Sequence, residues 1–140
     1  MDRSAAALDV ARANAVACGQ PRIEFLLSDW FSSLSSRRFD LLVGNPPYIA
    51  ADDPHLSRGD VRFEPSQALV ATLGGLSDLA HIAQAAPARL HAGGWLLLEH
   101  GFEQGRVVRE LLLESGLVQV ETRRDLAGQE RITGGRIGAD

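Results

Sequence analysis

Lysine is absent from this chain of 140 residues, and all fourteen basic side chains are arginine. They are scattered. Arg37-Arg38 and Arg123-Arg124 are the only adjacent pairs, so no basic stripe suited to tracking a phosphate backbone is present. The net charge of −4 points the same way, against a nucleic-acid substrate. Cysteine occurs once, at Cys18. A single thiol excludes an internal disulfide and fits a reducing cytoplasm, which is the expected compartment. Placed before Gly19 near a helix end, Cys18 is expected to be a buried structural thiol. No apolar run approaches the roughly 18 residues that cross a bilayer, so no membrane partner is expected. The first residues also lack the charged, apolar, small-residue layout of a signal peptide. No repeats or low-complexity tracts occur. At 45% hydrophobic and 23% charged residues, the chain has an ordinary globular composition and the length of a single domain, residues 1–140.

The most informative residues present are Asn45-Pro46-Pro47-Tyr48. They follow Phe39-Asp40-Leu41-Leu42-Val43-Gly44, an apolar run short enough to be a buried strand. Two consecutive prolines hold φ near −65° and remove two backbone donors, so the loop is stiff and rich in acceptors. Asn45 adds an amide with an acceptor oxygen, and Tyr48 adds a flat ring with a polar tip. Rigid acceptors beside a flat ring, at the carboxyl end of a strand, suit the capture of a planar –NH2 group. An amide nitrogen is a poor nucleophile because its lone pair is shared with the carbonyl. The Asn45 side-chain oxygen and the Pro46 carbonyl can hold both N–H protons and aim the lone pair at an incoming methyl carbon. Positive charge grows on that nitrogen in the transition state, so these acceptors favour it over the ground state. The competing reading is an ordinary Pro-Pro turn with Asn45 accepting a local backbone bond. The strand before and the aromatic after favour an amino methyltransferase.

Around this loop, strands alternate with helices. Ser4 can cap a helix through Leu8, Ala11 and Ala15 that ends at Gly19. Ile23 to Leu27 reads as a short buried strand, and Phe39 to Gly44 as the next. Ile49 to about Gly75 has no sustained period and is punctuated by Pro54, Gly59, Pro65 and Gly74-Gly75, a long loop of the kind that is usually functional. Leu76 to about His91 is helical with a break at Pro87, and Gly93-Gly94 turn into the strand Trp95 to Glu99. Glu103 to Glu114 is an amphipathic helix with Val107, Val108, Leu111 and Leu112 inward, ended by Gly116. Leu117 to Thr122 and Arg131 to Ile137 are two further strands, the second antiparallel. The pattern predicts an α/β fold with a mostly parallel sheet covered on both faces.

These segments closely resemble the bacterial peptide chain release factor N5-glutamine methyltransferases over nearly the whole chain. The resemblance is carried by Ser28-Asp29-Trp30-Phe31, Asn45-Pro46-Pro47-Tyr48-Ile49, Asp60-Val61-Arg62-Phe63-Glu64-Pro65 with Ala68-Leu69, Leu97-Leu98-Glu99-His100-Gly101, and Arg123-Arg124-Asp125-Leu126-Ala127-Gly128. The first two motifs occur in several methyltransferases, whereas Arg62-Phe63-Glu64-Pro65 is particular to the glutamine-modifying branch. The resemblance implies a Rossmann-like class I fold, S-adenosyl-L-methionine as cofactor, and the glutamine of a Gly-Gly-Gln loop in release factors as substrate. The family also has an N-terminal helical domain, a first strand and a Gly-rich cofactor loop. No acidic-x-Gly-x-Gly pattern precedes the first helix here, so the chain is expected to be the carboxyl-terminal, truncated portion of the catalytic domain and inactive alone.

By the same resemblance, Asp2 falls where a carboxylate accepts the ribose hydroxyls, and a frayed, solvated Asp2 is the alternative. Asp29 matches the acceptor for the adenine amino group, with Trp30 beside it; a helix cap and a core tryptophan are the alternative. Asn45, Pro46 and Tyr48 are the catalytic set, and Asn45 also contributes to cofactor binding. Pro47 and Glu64 complete the substrate site, with a loop-pinning carboxylate as the other reading of Glu64. His100 is expected to be packed rather than to act as a base. Asp52, Asp53 and His55 fit no closed metal site, and methyl transfer needs none. The alternatives to release-factor methylation are a ribosomal-protein glutamine or DNA or RNA adenine as substrate, or a non-catalytic remnant.

Overall fold

The computed structural model describes residues 1–20, 22–49, 66–70 and 75–139. The chain divides into two compact units, Met1–Arg37 and Arg38–Asp140.

In the first unit, α1 (Ala5–Ala17) starts at Ser4, whose hydroxyl accepts from the Ala7 amide at 3.2 Å. The chain turns out of the helix at Gly19, whose φ of +65° is cheap only for glycine. Leu8 and Ala15 mark the buried stripe. Cys18 is exposed, contrary to expectation, because the helix stops at Ala17, one residue before the stripe would reach the thiol. Ile23 to Leu27 is not a strand either. Only Leu27 is bridged, in parallel to Asp2, through Asp2 N–H to the Leu26 carbonyl and Ser28 N–H to the Asp2 carbonyl. A strand needs a ladder, and one bridge supplies two bonds; Ile23 and Leu27 are accordingly exposed.

The second unit contains β1 (Phe39–Gly44), the short α2 (Ser66–Leu69), α3 (Ser77–Ala85), a 3₁₀ turn at Ala86–Arg89, β2 (Leu90–Glu99), α4 (Gly105–Glu114), β3 (Val118–Arg124) and β4 (Glu130–Arg136). The sheet order is β1-β2-β4-β3. β1 pairs in parallel with β2, and β4 runs antiparallel to both of its neighbours. Three strands therefore share one direction and β4 opposes them, as expected of the last strand. With β4 between β2 and β3, only the β1–β2 ladder among the described residues is parallel, so the sheet is mixed rather than mostly parallel.

Pro87 converts α3 into the 3₁₀ turn, and β2 begins at Leu90, earlier than its apolar run suggests. The register explains the extra length. Phe39 pairs with Leu90 but Leu41 with Trp95, so β2 bulges over residues 91–94. A Cβ on Gly94 would meet the Phe39 and Asp40 carbonyls at 3.1 and 3.2 Å.

Beyond the bulge β2 alternates, burying Leu96, Leu98 and His100 on one face with Leu42 of β1. Helices α3 and α4 pack together, and α4 lies against β3 and β4. Leu79, Ile82, Val108 and Leu112 are fully buried in this layer. Each such side chain contributes about 1.5–3 kcal/mol by leaving water. The opposite face is not covered in the same way. Leu41 and Val43 remain 52% and 72% exposed, so β1 is buried on one face only, not on both as its apolar run implied. Among the described residues, β1 has a ladder neighbour on one side alone.

Candidate active site

The loop Asn45-Pro46-Pro47-Tyr48 leaves the carboxyl end of β1. Gly44 is the last strand residue, and a Cβ there would press on Leu98 at 3.1 Å. The loop therefore starts close against β2. Pro46 is fully buried, Asn45 is exposed, and Pro47, Tyr48 and Ile49 are half-buried. Buried and pinned in φ, Pro46 serves as the fixed point from which the exposed Asn45 projects. On leaving the loop, Ile49 donates its N–H to the Leu69 carbonyl at 3.0 Å and bridges in parallel to Val70. That bridge docks the loop on α2. A pocket of about 260 Å³ results, lined by the run Asn45 to Ile49 together with Ala68 and Leu69.

Tyr48 is held at both ends. Its hydroxyl donates to Glu99 Oε1 at 3.1 Å, and its carbonyl accepts from Gln104 Nε2 at 3.0 Å. Gln104 Oε1 in turn accepts from the Gly101 amide at 2.8 Å. Gly75, at φ +84°, approaches so closely that a Cβ would fall on the Tyr48 carbonyl. Burial raises the Tyr48 phenol above its ordinary pKa, the Glu99 charge pushes the same way, and Arg131 opposes. Sequence alone assigns no role to Gln104, and it presents Glu99 only within the motif Leu97-Leu98-Glu99-His100-Gly101. The available signal was a lone carboxylate closing the apolar run Trp95 to Leu98, with a glutamine just beyond Gly101.

His100 is fully buried, and its burial lowers its pKa. Its Nδ1 lies 2.8 Å from the Gly101 carbonyl and its Nε2 2.8 Å from Thr133 Oγ1. A carbonyl can only accept, so Nδ1 carries the proton and Nε2 accepts from the Thr133 hydroxyl. Thr133 must then accept from Thr122, 2.8 Å away, which accepts from Arg109 at 2.7 Å. The result is a one-way chain, Arg109 to Thr122 to Thr133 to His100. It fits the expected packed role of His100 and leaves the ring no capacity to act as a base.

The segment Arg123 to Gly128 ends β3 and turns toward β4. The Asp125 carboxylate accepts from the Ala127 and Gln129 amides at 2.9 Å each and from Arg131 Nε at 3.3 Å. The Gln129 amide foremost, then Arg131 and Ala127, holds its pKa low against a smaller opposing effect of burial.

Asp2, Asp29 and Trp30 lie in the first unit. Asp2 is anchored: its backbone pairs with Leu26 and Ser28, and its Oδ1 accepts from the Ser4 amide at 2.8 Å. Asp29 is exposed two residues past the Asp2–Leu27 bridge. Trp30 is half-buried rather than core, at a left-handed φ of +45° that is uncommon outside glycine. The buried Ser28 holds it there, donating to the Trp30 carbonyl at 2.7 Å. Glu64, like Arg62, Phe63 and Pro65, lies outside the described residues, as do Asp52, Asp53 and His55.

The mixed sheet with helices and a rigid polar loop at a strand's carboxyl end fits a methyltransferase, and similarity to known proteins gives that class. The family model of the methyltransferase small domain matches residues 1–92, and the chain belongs to that family. It is 53% identical over 135 residues to the release factor glutamine methyltransferase of Xylella fastidiosa, covering 96% of this chain and 49% of the relative. The enzymes of the same name from Pseudomonas aeruginosa and Escherichia coli are 53% and 47% identical, each over 97% of this chain and 49% of theirs. The chain thus spans about half the length of the curated relatives it matches. Among solved structures, a methyltransferase from Pyrococcus furiosus superposes with a TM-score of 0.67 at 15% identity, over 94% of this chain and 57% of the other. The release factor-specific protein-(glutamine-N5) methyltransferase from Alicyclobacillus acidocaldarius superposes with a TM-score of 0.51 at 20% identity, over 90% of this chain and 72% of the other. Both share the fold.

Proposed function

We propose that this chain serves S-adenosyl-L-methionine-dependent methylation of a glutamine side-chain amide in the Gly-Gly-Gln loop of peptide chain release factors. The observation that carries the reading is the pocket beside Asn45, Pro46, Pro47 and Tyr48, in a chain about half identical to enzymes named for that reaction. In this reading the Asn45 side-chain oxygen and the Pro46 carbonyl accept the two hydrogens of the carboxamide and fix its lone pair in one direction. The Tyr48 ring packs against the amide plane, Pro47 stiffens the loop, and Glu64, outside the described residues, is assigned to the substrate site by the family resemblance. The amide nitrogen would gain the methyl carbon and lose one proton to solvent, while the sulfur that carried the methyl would keep the pair of the broken S–C bond and become neutral. Alignment supplies most of the acceleration, since effective molarities for well-oriented groups reach about 10⁵–10⁸ M.

The residues present fit the nucleoside of the cofactor. Its ribose hydroxyls and adenine amine are donors, and a carboxylate is acceptor-only with about four lone-pair sites. Asp2 keeps capacity beyond the bond from Ser4, and Asp29 is exposed. Within the first unit, Asp2 would take the ribose and Asp29 the amine, with Trp30 alongside. When bound, the cofactor supplies a methyl carbon carried on a positively charged sulfur.

The test is a chimaera of the Xylella fastidiosa relative in which the matched residues are replaced by this chain. It is incubated with methyl-labelled cofactor and, separately, a release factor, a ribosomal protein and duplex DNA. Label on the Gly-Gly-Gln glutamine is expected. Label on DNA or the ribosomal protein instead would reassign the substrate, and no label beside an active parent would make the chain a non-catalytic remnant.

A further inference from the structure

We infer that Glu99 and Gln104, which lie outside the four-residue loop, are positioning residues that set the placement of Tyr48 and through it the pocket. The inference rests on the methyl-transfer reading for its kinetic consequence, but its geometry stands separately. Among the described residues, Glu99, Gln104 and Gly75 restrain Tyr48 from outside its own loop. The phenol oxygen is tied to Glu99 Oε1 at 3.1 Å. The carbonyl is tied to Gln104 Nε2 at 3.0 Å. The third is steric, the close approach of Gly75 to that same carbonyl.

Glu99 is the last residue of β2, paired with Ile132 of β4, so its backbone is fixed by the centre of the sheet. Gln104 is the N-cap position of α4 and reaches back to the Gly101 amide at 2.8 Å. With that bond made, its amide group is committed: the oxygen faces Gly101 and the nitrogen faces Tyr48. One side chain thus couples the turn after β2 to the loop after β1. His100, between Glu99 and Gly101, is locked by its own bonds to Gly101 and Thr133. The bracket therefore stands on a rigid segment. The buried Pro46 fixes the start of the loop, and the bracket fixes Tyr48 at its end. A misplacement of about 1 Å in such a site costs up to about 10²-fold in rate. The charged groups acting on the phenol are Glu99 from β2 and Arg131 from β4.

Tyr48 is the single tyrosine of the chain, so tyrosinate absorbance reads it alone. In the 140-residue chain, Glu99→Gln removes the neighbouring negative charge and Gln104→Leu releases the carbonyl. Both should move the Tyr48 titration down from its raised position. In the chimaera, Glu99→Ala and Gln104→Leu should each lower kcat on the release factor by roughly 10–100-fold. Glu99→Gln, whose amide oxygen still accepts from the phenol, should recover most of that loss. In a Tyr48→Phe background, Glu99→Ala should cost nothing further, because Glu99 acts through the hydroxyl. An equal cost in both backgrounds would overturn the assignment of Glu99, making its role structural. A Tyr48 titration and a kcat both unmoved by Gln104→Leu would overturn that of Gln104. If the parent chimaera transfers no methyl group, the functional reading fails, and the titration still decides whether the bracket exists.

Discussion

Asn45 and Pro46 are neighbours in the chain but opposites in setting, one exposed at the pocket and the other fully buried. That contrast lets a short side chain present its amide from a backbone that does not yield. Asn45→Ala in the chimaera should lower kcat by roughly 10²–10³-fold, the usual cost of losing one preorganised polar group. A near-parental rate would remove Asn45 from the mechanism. Gly75 makes a second prediction at this scale. Alanine there meets a left-handed penalty of about 1–2 kcal/mol and places a methyl on the Tyr48 carbonyl. Denaturant unfolding of Gly75→Ala should show a loss of at least that size, and unchanged stability would mean that Tyr48 moves aside freely. The four-residue loop was legible in the sequence because its parts are consecutive and its prolines act locally. Glu99 and Gln104 were not, because they meet Tyr48 across 51 and 56 residues. No local pattern reports a contact made by the fold.

Elements that close their own bonds or carry an unambiguous period emerged from the sequence nearly as they stand. β1 keeps its expected bounds of Phe39–Gly44, and α4 buries Val108 and Leu112 with Val107 and Leu111 half-buried. Elements that depend on a neighbour did not. Ile23 to Leu27 has strand composition but only Asp2 to pair with, and β2 gains five residues because its bulge accommodates Gly93 and Gly94 against β1. Between α4, β3 and β4, the chain from Arg109 through Thr122 and Thr133 to His100 joins three elements by side chains alone. Thr133→Val keeps the shape and removes the hydroxyl, leaving His100 Nε2 without a donor and Thr122 without an acceptor. The buried His100 nitrogen left unpaired costs about 1–3 kcal/mol, so unfolding should come earlier by about that amount. Thr133→Ser, which keeps the hydroxyl and loses a methyl, should retain the bonds and most of the stability. Equal losses in the two variants would show that packing rather than the hydrogen bonds matters at this position.

Across the whole molecule the same histidine gives stability a direction with pH. Its folded pKa lies below the ordinary 6.5, because burial disfavours the imidazolium and outweighs the Gly101 carbonyl, which favours it. The unfolded chain therefore takes up a proton before the folded one does. The His100 contribution is complete above about pH 6.5 and is lost as pH falls from there through the folded pKa. One proton sets the steepest slope, about 1.4 kcal/mol per pH unit. Asp125 adds a later loss. Its folded pKa is below the usual 3.8, so its bonds to Gln129, Arg131 and Ala127 stabilise the fold above that value and fail only in stronger acid. His81 and His91 are exposed. Denaturant midpoints measured from pH 8 downward should hold level, then fall below about pH 6.5. In His100→Gln the midpoint should start lower, because the fit to Gly101 and Thr133 is imperfect, but the fall near neutrality should vanish. A slope that persists unchanged in that variant would place the responsible proton on another group and separate the buried histidine from the acid sensitivity of the fold.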